Sequence, residues 1–226
     1  MNEAWKFIAG MMVSSHRLFR TCLFSFLVVV LALMAKPVGA VDAEKASSFV
    51  SGVGATAIDI LSENELDDSA RQARFRKLFR EHFDLKTIIR LVLGGHWSNA
   101  TEEQRHEFEN LLEDYIVLAN SNRFKGYRGE IFEVNEVRMS GDSDAVVHSR
   151  IIRSSSPPIR VDWRIRRPHD ALKIIDVAIE GLSMVLTHRN EFSTVIQRSE
   201  NGIDGLIEIL RKKTEGINRD TPISPS

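Results

Sequence analysis

Apolar residues recur along this chain with two different periods, and the change between them divides it. From Ala43 to Leu61, the residues Phe49, Val53, Ala57, Ile60 and Leu61 share one helical stripe. Gly52 and Gly54 lie inside that stripe and weaken it. Ser69 to Phe83 carries Phe75, Leu78, Phe79 and His82 on one face, with Arg71, Arg74, Arg76 and Lys77 over the rest. Asp84 is placed to cap a third helix, Leu85 to Leu93, containing Ile88, Ile89, Leu91, Val92 and Leu93, and Gly94-Gly95 ends it. Thr101-Glu102-Glu103-Gln104 has the spacing of a capping box, in which the threonine and glutamine side chains satisfy each other's backbone amides. It opens a long helix to about Phe124, striped by Phe108, Leu111, Leu112, Tyr115, Leu118 and Ala119.

Beyond that helix the period shortens to two. Glu130 to Met139, Ala145 to Arg153, Ile159 to Arg166 and Leu172 to Ile179 read as strands. The third alternates most cleanly, with Ile159, Val161, Trp163 and Ile165 against Arg160, Asp162, Arg164 and Arg166, so one face is buried and the other wet. Gly141-Asp142, Ser154 to Pro158 and Arg167 to Asp170 supply the turns. Short connections make the four strands an antiparallel meander. Helical spacing returns from Leu182 to about Arg198, along Val185, Leu186, Phe192 and Ile196, and again from Ile203 to Lys212. The fold class is therefore α+β: helices, about four antiparallel strands, then helices that return to the sheet. A curved sheet wrapped in this way encloses either a packed core or an apolar cavity.

The first 40 residues belong to neither pattern. Arg17 and Arg20 precede an apolar run of about 14 residues from Cys22 to Ala35, then Lys36-Pro37 and the small-residue site Val38-Gly39-Ala40. This predicts a cleavable signal peptide over 1–40 and an exported domain over 41–213. Residues 214–226, without periodicity and with two prolines, read as a disordered tail. Loss of the leader would remove the sole cysteine, Cys22, and with it any disulfide or thiolate metal site. It would also remove Lys6, Arg17, Arg20 and Lys36 against Glu3, taking the net charge from −1 to −4. That balance argues against nucleic acid as a partner.

Catalytic chemistry finds little support. His82, His96, His106, His148, His169 and His188 show no HxxxH or HxH ligand spacing, and neither a GxSxG elbow nor a P-loop is present. No catalytic residue, metal site or cofactor is expected. Asp176, set among Ile174, Ile175, Val177 and Ile179, is the one carboxylate placed to act as a buried base, with Tyr115 as its only plausible polar companion. The simpler role for Asp176 is a hydrogen-bonded carboxylate that orients the strand end. The row Arg160, Arg164, Arg166 and Arg167 reads as a solvated sheet face, since Asp162 lies within it, with contact to phosphates or an acidic partner surface as the alternative. Glu63, Glu65, Asp67 and Asp68 read as a solvated loop.

Four blocks, in order and spacing, carry a resemblance. They are Phe83-Asp84-Leu85 with Leu91 to Gly94 and Trp97; Ala100 to Gln104 with Phe108; Pro157-Pro158-Ile159 with Val161 to Arg164; and Lys173 to Val177 running on to Glu180 to Ser183, Arg189 and Phe192. In these blocks the chain resembles the MlaC family, also called toluene-tolerance or ABC-transporter auxiliary proteins. The resemblance spans about Ala43 to Lys213. It implies an NTF2-like sheet-and-helix fold around a pocket for phospholipid tails. It further implies a monomeric periplasmic carrier between an outer-membrane lipoprotein–porin complex and the MCE-domain subunit of an inner-membrane ABC transporter. A hopanoid or sterol-like lipid, or an NTF2-like enzyme acting on one, is the alternative.

A carrier must replace the membrane around two acyl chains of roughly 15 methylenes each, at about 0.8 kcal/mol per CH₂. That requires extensive apolar wall and few polar groups. The expected lining is Phe83, Ile88, Leu91, Val92, Phe108, Leu112, Tyr115, Ile116, Val146, Val161, Trp163, Ile174, Val177, Ile179 and Leu182. Tyr115 and Trp163, with amphipathic rings, suit a pocket mouth. A ligand-free adaptor, with all these residues packed solid, is the remaining possibility.

Overall fold

The computed structural model describes residues 41–63, 66–123, 129–141, 143–154, 156–168 and 171–219. The predicted leader 1–40 and the segment 220–226 lie outside the described residues. Four helices come first: α1 (Ala43–Ser62), α2 (Asp68–His82), α3 (Leu85–Leu93) and α4 (Glu102–Arg123), with a 3₁₀ turn at Gly94–Asn99. Strands β1 (Ile131–Ser140), β2 (Asp144–Ile152), β3 (Ile159–Arg166), β4 (Lys173–Ile179) and β5 (Leu182–Ser183) follow, then α5 (Met184–Arg198) and α6 (Ile203–Arg219).

Side-chain caps start most of these helices where the sequence places them. Asp42 accepts from Glu44 N at 2.9 Å, Asp67 from Ala70 N at 2.7 Å and Asp84 from Thr87 N at 3.0 Å. The capping box forms: Gln104 N donates to Thr101 Oγ1 at 3.2 Å, and Thr101 N donates to Gln104 Oε1 at 3.0 Å. The same Gln104 donates through Nε2 to Asp204 at 2.8 Å, tying the start of α4 to the start of α6. α2 is held to α4 by Glu113, a buried carboxylate that takes Arg76 at 2.7 Å and Arg80 at 2.9 Å.

The five strands form one antiparallel sheet in the order β1-β2-β3-β4-β5. The fifth strand was not expected. Leu182-Ser183, read as the first turn of α5, instead pairs with Ala178 and Ile179 across a tight turn. Two bulges bend the sheet. One adds Asn135 to β1, between the pairs Val134–Ser149 and Glu136–His148; the other adds Ile175 to β4, between Asp176–Arg164 and Ile174–Ile165. Pairing aligns Phe132, Val134, Val137, Val147, Ser149, Val161, Trp163, Ile165, Ile174, Val177 and Ile179 on an inner face. Glu133, Glu136, Arg138, Asp144, His148, Arg150, Arg160, Asp162, Arg164 and Asp176 occupy the outer one.

Two apolar cores result. α1 supplies Ala46, Val50, Val53 and Ile60 to a core with Ala145, Val147, Ile165 and Ile174 of the sheet. α3, α4, α5 and α6 build the second around Ile89, Leu93, Phe108, Leu112, Phe192, Leu206 and Leu210. The last helix extends past Lys213, where a tail was expected. The helix continues to Arg219, and within it Thr214 is buried, its hydroxyl donating to the Leu210 carbonyl at 3.1 Å.

Gly54 has a packing role. A Cβ there would stand 2.4 Å from the Phe132 ring, which itself meets Trp163 edge-on at 6.0 Å. In an isolated helix Gly→Ala gains about 1 kcal/mol. Here Gly54→Ala is expected to lose about 1–3 kcal/mol by overpacking. Urea unfolding should record that loss, and adding Phe132→Leu should recover most of it.

Candidate functional site

The expected lining residues divide between the two cores. Ile88, Val92, Phe108 and Leu112 are buried in the helical core, with Leu91, Tyr115 and Ile116 half-buried against it. Ile174 is buried in the sheet core, with Trp163 and Val177 half-buried against that one. Phe83 packs against both. Its position follows from the chain path: Asp84 N donates to the Ile174 carbonyl at 2.9 Å, which pins the α2–α3 junction to β4. The Phe83 ring then lies 4.5 Å from the Phe79 ring. Val161 is buried opposite Ile179, while Ile179 and Leu182 are exposed.

Val146 does not belong with the others. It pairs with Arg138 and Arg164 and so stands on the charged outer face. The β2 run Ala145-Val146-Val147 is apolar on both sides, so alternation does not say which residue points inward. Phe49, Phe132, Val134 and Val137 were missed, yet all pack half-buried against the sheet core. The β1 residues were concealed by the extra Asn135, which breaks their alternation.

Tyr115 and Trp163 are not brought together. Trp163 Nε1 donates to Ser149 Oγ at 2.8 Å, and that hydroxyl donates to the Val161 carbonyl at 2.7 Å. Each inner-face polar group thus has a partner, which keeps the face apolar in effect. Tyr115 meets His188 edge-on at 5.8 Å, with Lys213 Nζ 5.6 Å from its ring centre. His188 in turn stacks on Phe192 at 5.5 Å.

Asp176 has the structural role. Its two oxygens accept from Ser183 Oγ at 2.6 Å and Val185 N at 3.1 Å, so it fastens β4 to the start of α5. Both oxygens thereby receive hydrogen bonds from the start of that helix. Among the described residues, no group of three His, Cys, Asp or Glu side chains is placed to hold a metal ion. Among them also, no helix is long and apolar enough to cross a membrane. Burial pushes the His82 imidazole below its ordinary 6.5, which suits its edge contact with Phe49.

Two aspartates take up part of the charge of the arginine row. Asp144 takes Arg166 at 2.7 Å and Arg164 at 3.0 Å, and Asp162 takes His148 at 2.8 Å and Arg160 at 3.7 Å. The Arg166 hydrogen bonds hold the Asp144 carboxyl below its ordinary 3.8, against the opposing effect of burial, and Arg164 adds to the lowering. A depressed folded value means the stabilisation is complete above the unfolded value and is lost as pH falls through the folded one. Asp144→Asn is therefore expected to cost about 1–2 kcal/mol at neutral pH, since both arginines are partly in water. The difference from the unsubstituted protein should close below about pH 4 in urea titrations.

Fold and site together define a class: an α+β protein with an open antiparallel meander, two apolar cores and an inner sheet face of half-buried rings, without a catalytic constellation among the described residues. The chain belongs to the MlaC family, whose model, described as MlaC protein, matches residues 52–212. Its fold is also similar to a solved structure, the phospholipid-binding protein from Ralstonia solanacearum in complex with a phospholipid. That match has a TM-score of 0.68 at 20% identity, covering 76% of this chain and 98% of that one.

Proposed function

We propose that this protein is a periplasmic phospholipid carrier that shelters acyl tails between its two cores. The observation that carries the reading is Phe83, a half-buried ring at the α2–α3 junction that packs against both cores. Each core also carries half-buried apolar side chains, Leu91 and Ile116 on the helical one and Trp163, Val177 and Phe132 on the sheet one. Membership of the MlaC family supports this, and so does the likeness to a structure named as phospholipid-binding and solved with a phospholipid.

Energetics favour such a wall. Removing two acyl chains from a membrane costs on the order of 20 kcal/mol or more, at about 0.8 kcal/mol per CH₂. Only apolar surface offsets a cost of that size, which explains why recognition falls to the tails and headgroup selectivity is loose. Asp176, with both oxygens taken by the start of α5, serves the fold, in keeping with a protein that carries its lipid without transforming it. Residues 1–40 export the chain. In the periplasm it exchanges lipid with an outer-membrane lipoprotein–porin complex and with the MCE-domain subunit of an inner-membrane ABC transporter.

Native mass spectrometry of the protein purified from cells, followed by organic extraction, tests the carrier reading. One diacyl phospholipid per chain is the expected result. A protein that stays empty after incubation with phospholipid vesicles would be an adaptor instead. A triterpenoid in the extract would replace phospholipid by the hopanoid class.

A further inference from the structure

Cations gather without acidic partners around the 3₁₀ turn Gly94–Asn99. α3 turns Ile88, Ile89, Val92 and Leu93 inward. Lys86, Arg90 and Gly94, at four-residue spacing, therefore share one row on its outer side. The row ends under Arg189 of α5, whose guanidinium lies over Gly94. A Cβ on Gly94 would stand 2.6 Å from Arg189 Nε, and the φ of +53 there also favours glycine. A hydrogen bond of 3.0 Å between His96 Nε2 and Ser193 Oγ fixes the turn beside α5. Lys86, Arg90 and Arg189 are all exposed.

Trp97 belongs to the same group. Its half-buried ring has the Arg105 guanidinium 4.5 Å from its centre and the Arg90 guanidinium at 5.9 Å. Arg105 Nη2 also donates to the Trp97 carbonyl at 2.8 Å, which holds the turn and leaves Arg90 as the outer cation. Among the described residues, no carboxylate forms an ion pair with Lys86, Arg90, Arg105 or Arg189. The arginines of α2 behave differently, since Arg71, Arg74, Arg76 and Arg80 hold Asp68, Glu63 and Glu113. The acids close in sequence are engaged: Asp84 caps α3 through Thr87, and Glu191 lies 3.5 Å from His188.

A tryptophan among arginines, with positive charge left open at the surface, has the composition of a protein-binding hot spot. A bilayer fits this surface less well, because the aliphatic side chains of α3 face the core and offer little to insert. We propose that Lys86, Arg90, Trp97 and Arg189 form the surface on which an acidic face of a lipid-exchanging protein complex docks. This rests on the carrier reading and adds the face by which a partner holds the carrier. α3 also carries Leu91, one of the half-buried apolar side chains of the helical core. A docked partner therefore stands against a helix that borders the tail-sheltering region.

Affinity of the purified protein for the soluble MCE domain of the transporter, and separately for the outer-membrane lipoprotein in detergent, tests the surface. The native protein should bind at least one of them, and more weakly as salt rises. Lys86→Glu with Arg90→Glu should raise that Kd about tenfold or more. Lys86→Arg with Arg90→Lys should keep native affinity. Both positions are exposed, so the unfolding midpoint and the phospholipid content of the charge-reversed protein should stay native. Equal affinity of the reversed and native proteins would overturn the proposal, as would a native protein that binds neither probe. A reversed protein that keeps its partner affinity and instead loses co-sedimentation with phosphatidylglycerol vesicles would overturn it too, assigning the patch to a membrane. A native protein carrying no phospholipid, whatever its affinities, would overturn the carrier reading itself.

Discussion

Trp163→Glu is expected to yield a folded protein that co-purifies with almost no phospholipid. The indole is half-buried on the inner face of β3, edge-on to Phe132, with its Nε1 hydrogen tied to Ser149. With no tail present, a carboxylate at this half-buried position keeps some contact with water, and the fold loses about 2–3 kcal/mol of ring packing. With a tail against that face, the carboxylate must be dehydrated or protonated, at a cost of several kcal/mol. Affinity for the tails should fall by about a hundredfold or more, since 1.4 kcal/mol is a factor of ten. Trp163→Phe is the control. It keeps an apolar ring, forfeits one hydrogen bond worth about 1 kcal/mol, and should retain its lipid. The ratio of phosphorus to protein, with the unfolding midpoint, separates the two variants. A folded Trp163→Glu protein still carrying a full complement of phospholipid would place the tails elsewhere.

How far such a site was legible depended on whether its residues kept a regular period. Most helices did, because a capping side chain precedes an apolar stripe. Asp84 before Leu85 and the Thr101–Gln104 box mark starts that the structure reproduces. β3 did as well, and its Ile159–Ile165 alternation separates the inner from the outer face. Bulges erased the signal elsewhere. Asn135 shifts Val137 out of phase with Phe132 and Val134, so β1's contribution to the inner face was lost. β2 failed for the opposite reason, because apolar Val146 occupies an outward position between arginines whose stems shield it. The end of α6 failed because the residues after Lys213 carry no apolar stripe that would mark a helix. Leu182 was misassigned for lack of any local cue: its strand is two residues long and exists only because the Glu180–Gly181 turn returns it to Ile179.

The same limit applies to depth. Periodicity states that a residue faces inward and is silent on whether it meets protein or ligand, and Phe108 shows the consequence. It was expected in the lipid-facing wall, on the stripe it shares with Leu112 and Tyr115. Its ring is 0% exposed and perpendicular to Phe192, 5.9 Å away, with protein on every side. Phe108→Ala is therefore expected to cost about 3–5 kcal/mol, from lost transfer energy and the cavity left behind. For a chain of this size that lowers the unfolding midpoint by about 2–4 °C per kcal/mol. Lipid content should stay at the native level, because Phe192 and Leu112 still close the helical core around the gap. The pairing with Trp163→Glu is what makes this informative. One substitution is expected to remove the ligand at modest cost to the fold, the other to weaken the fold and spare the ligand. If Phe108→Ala instead lost its lipid while remaining folded, the tails would extend into the helical core, and the boundary of the site would move from Phe83 to α4.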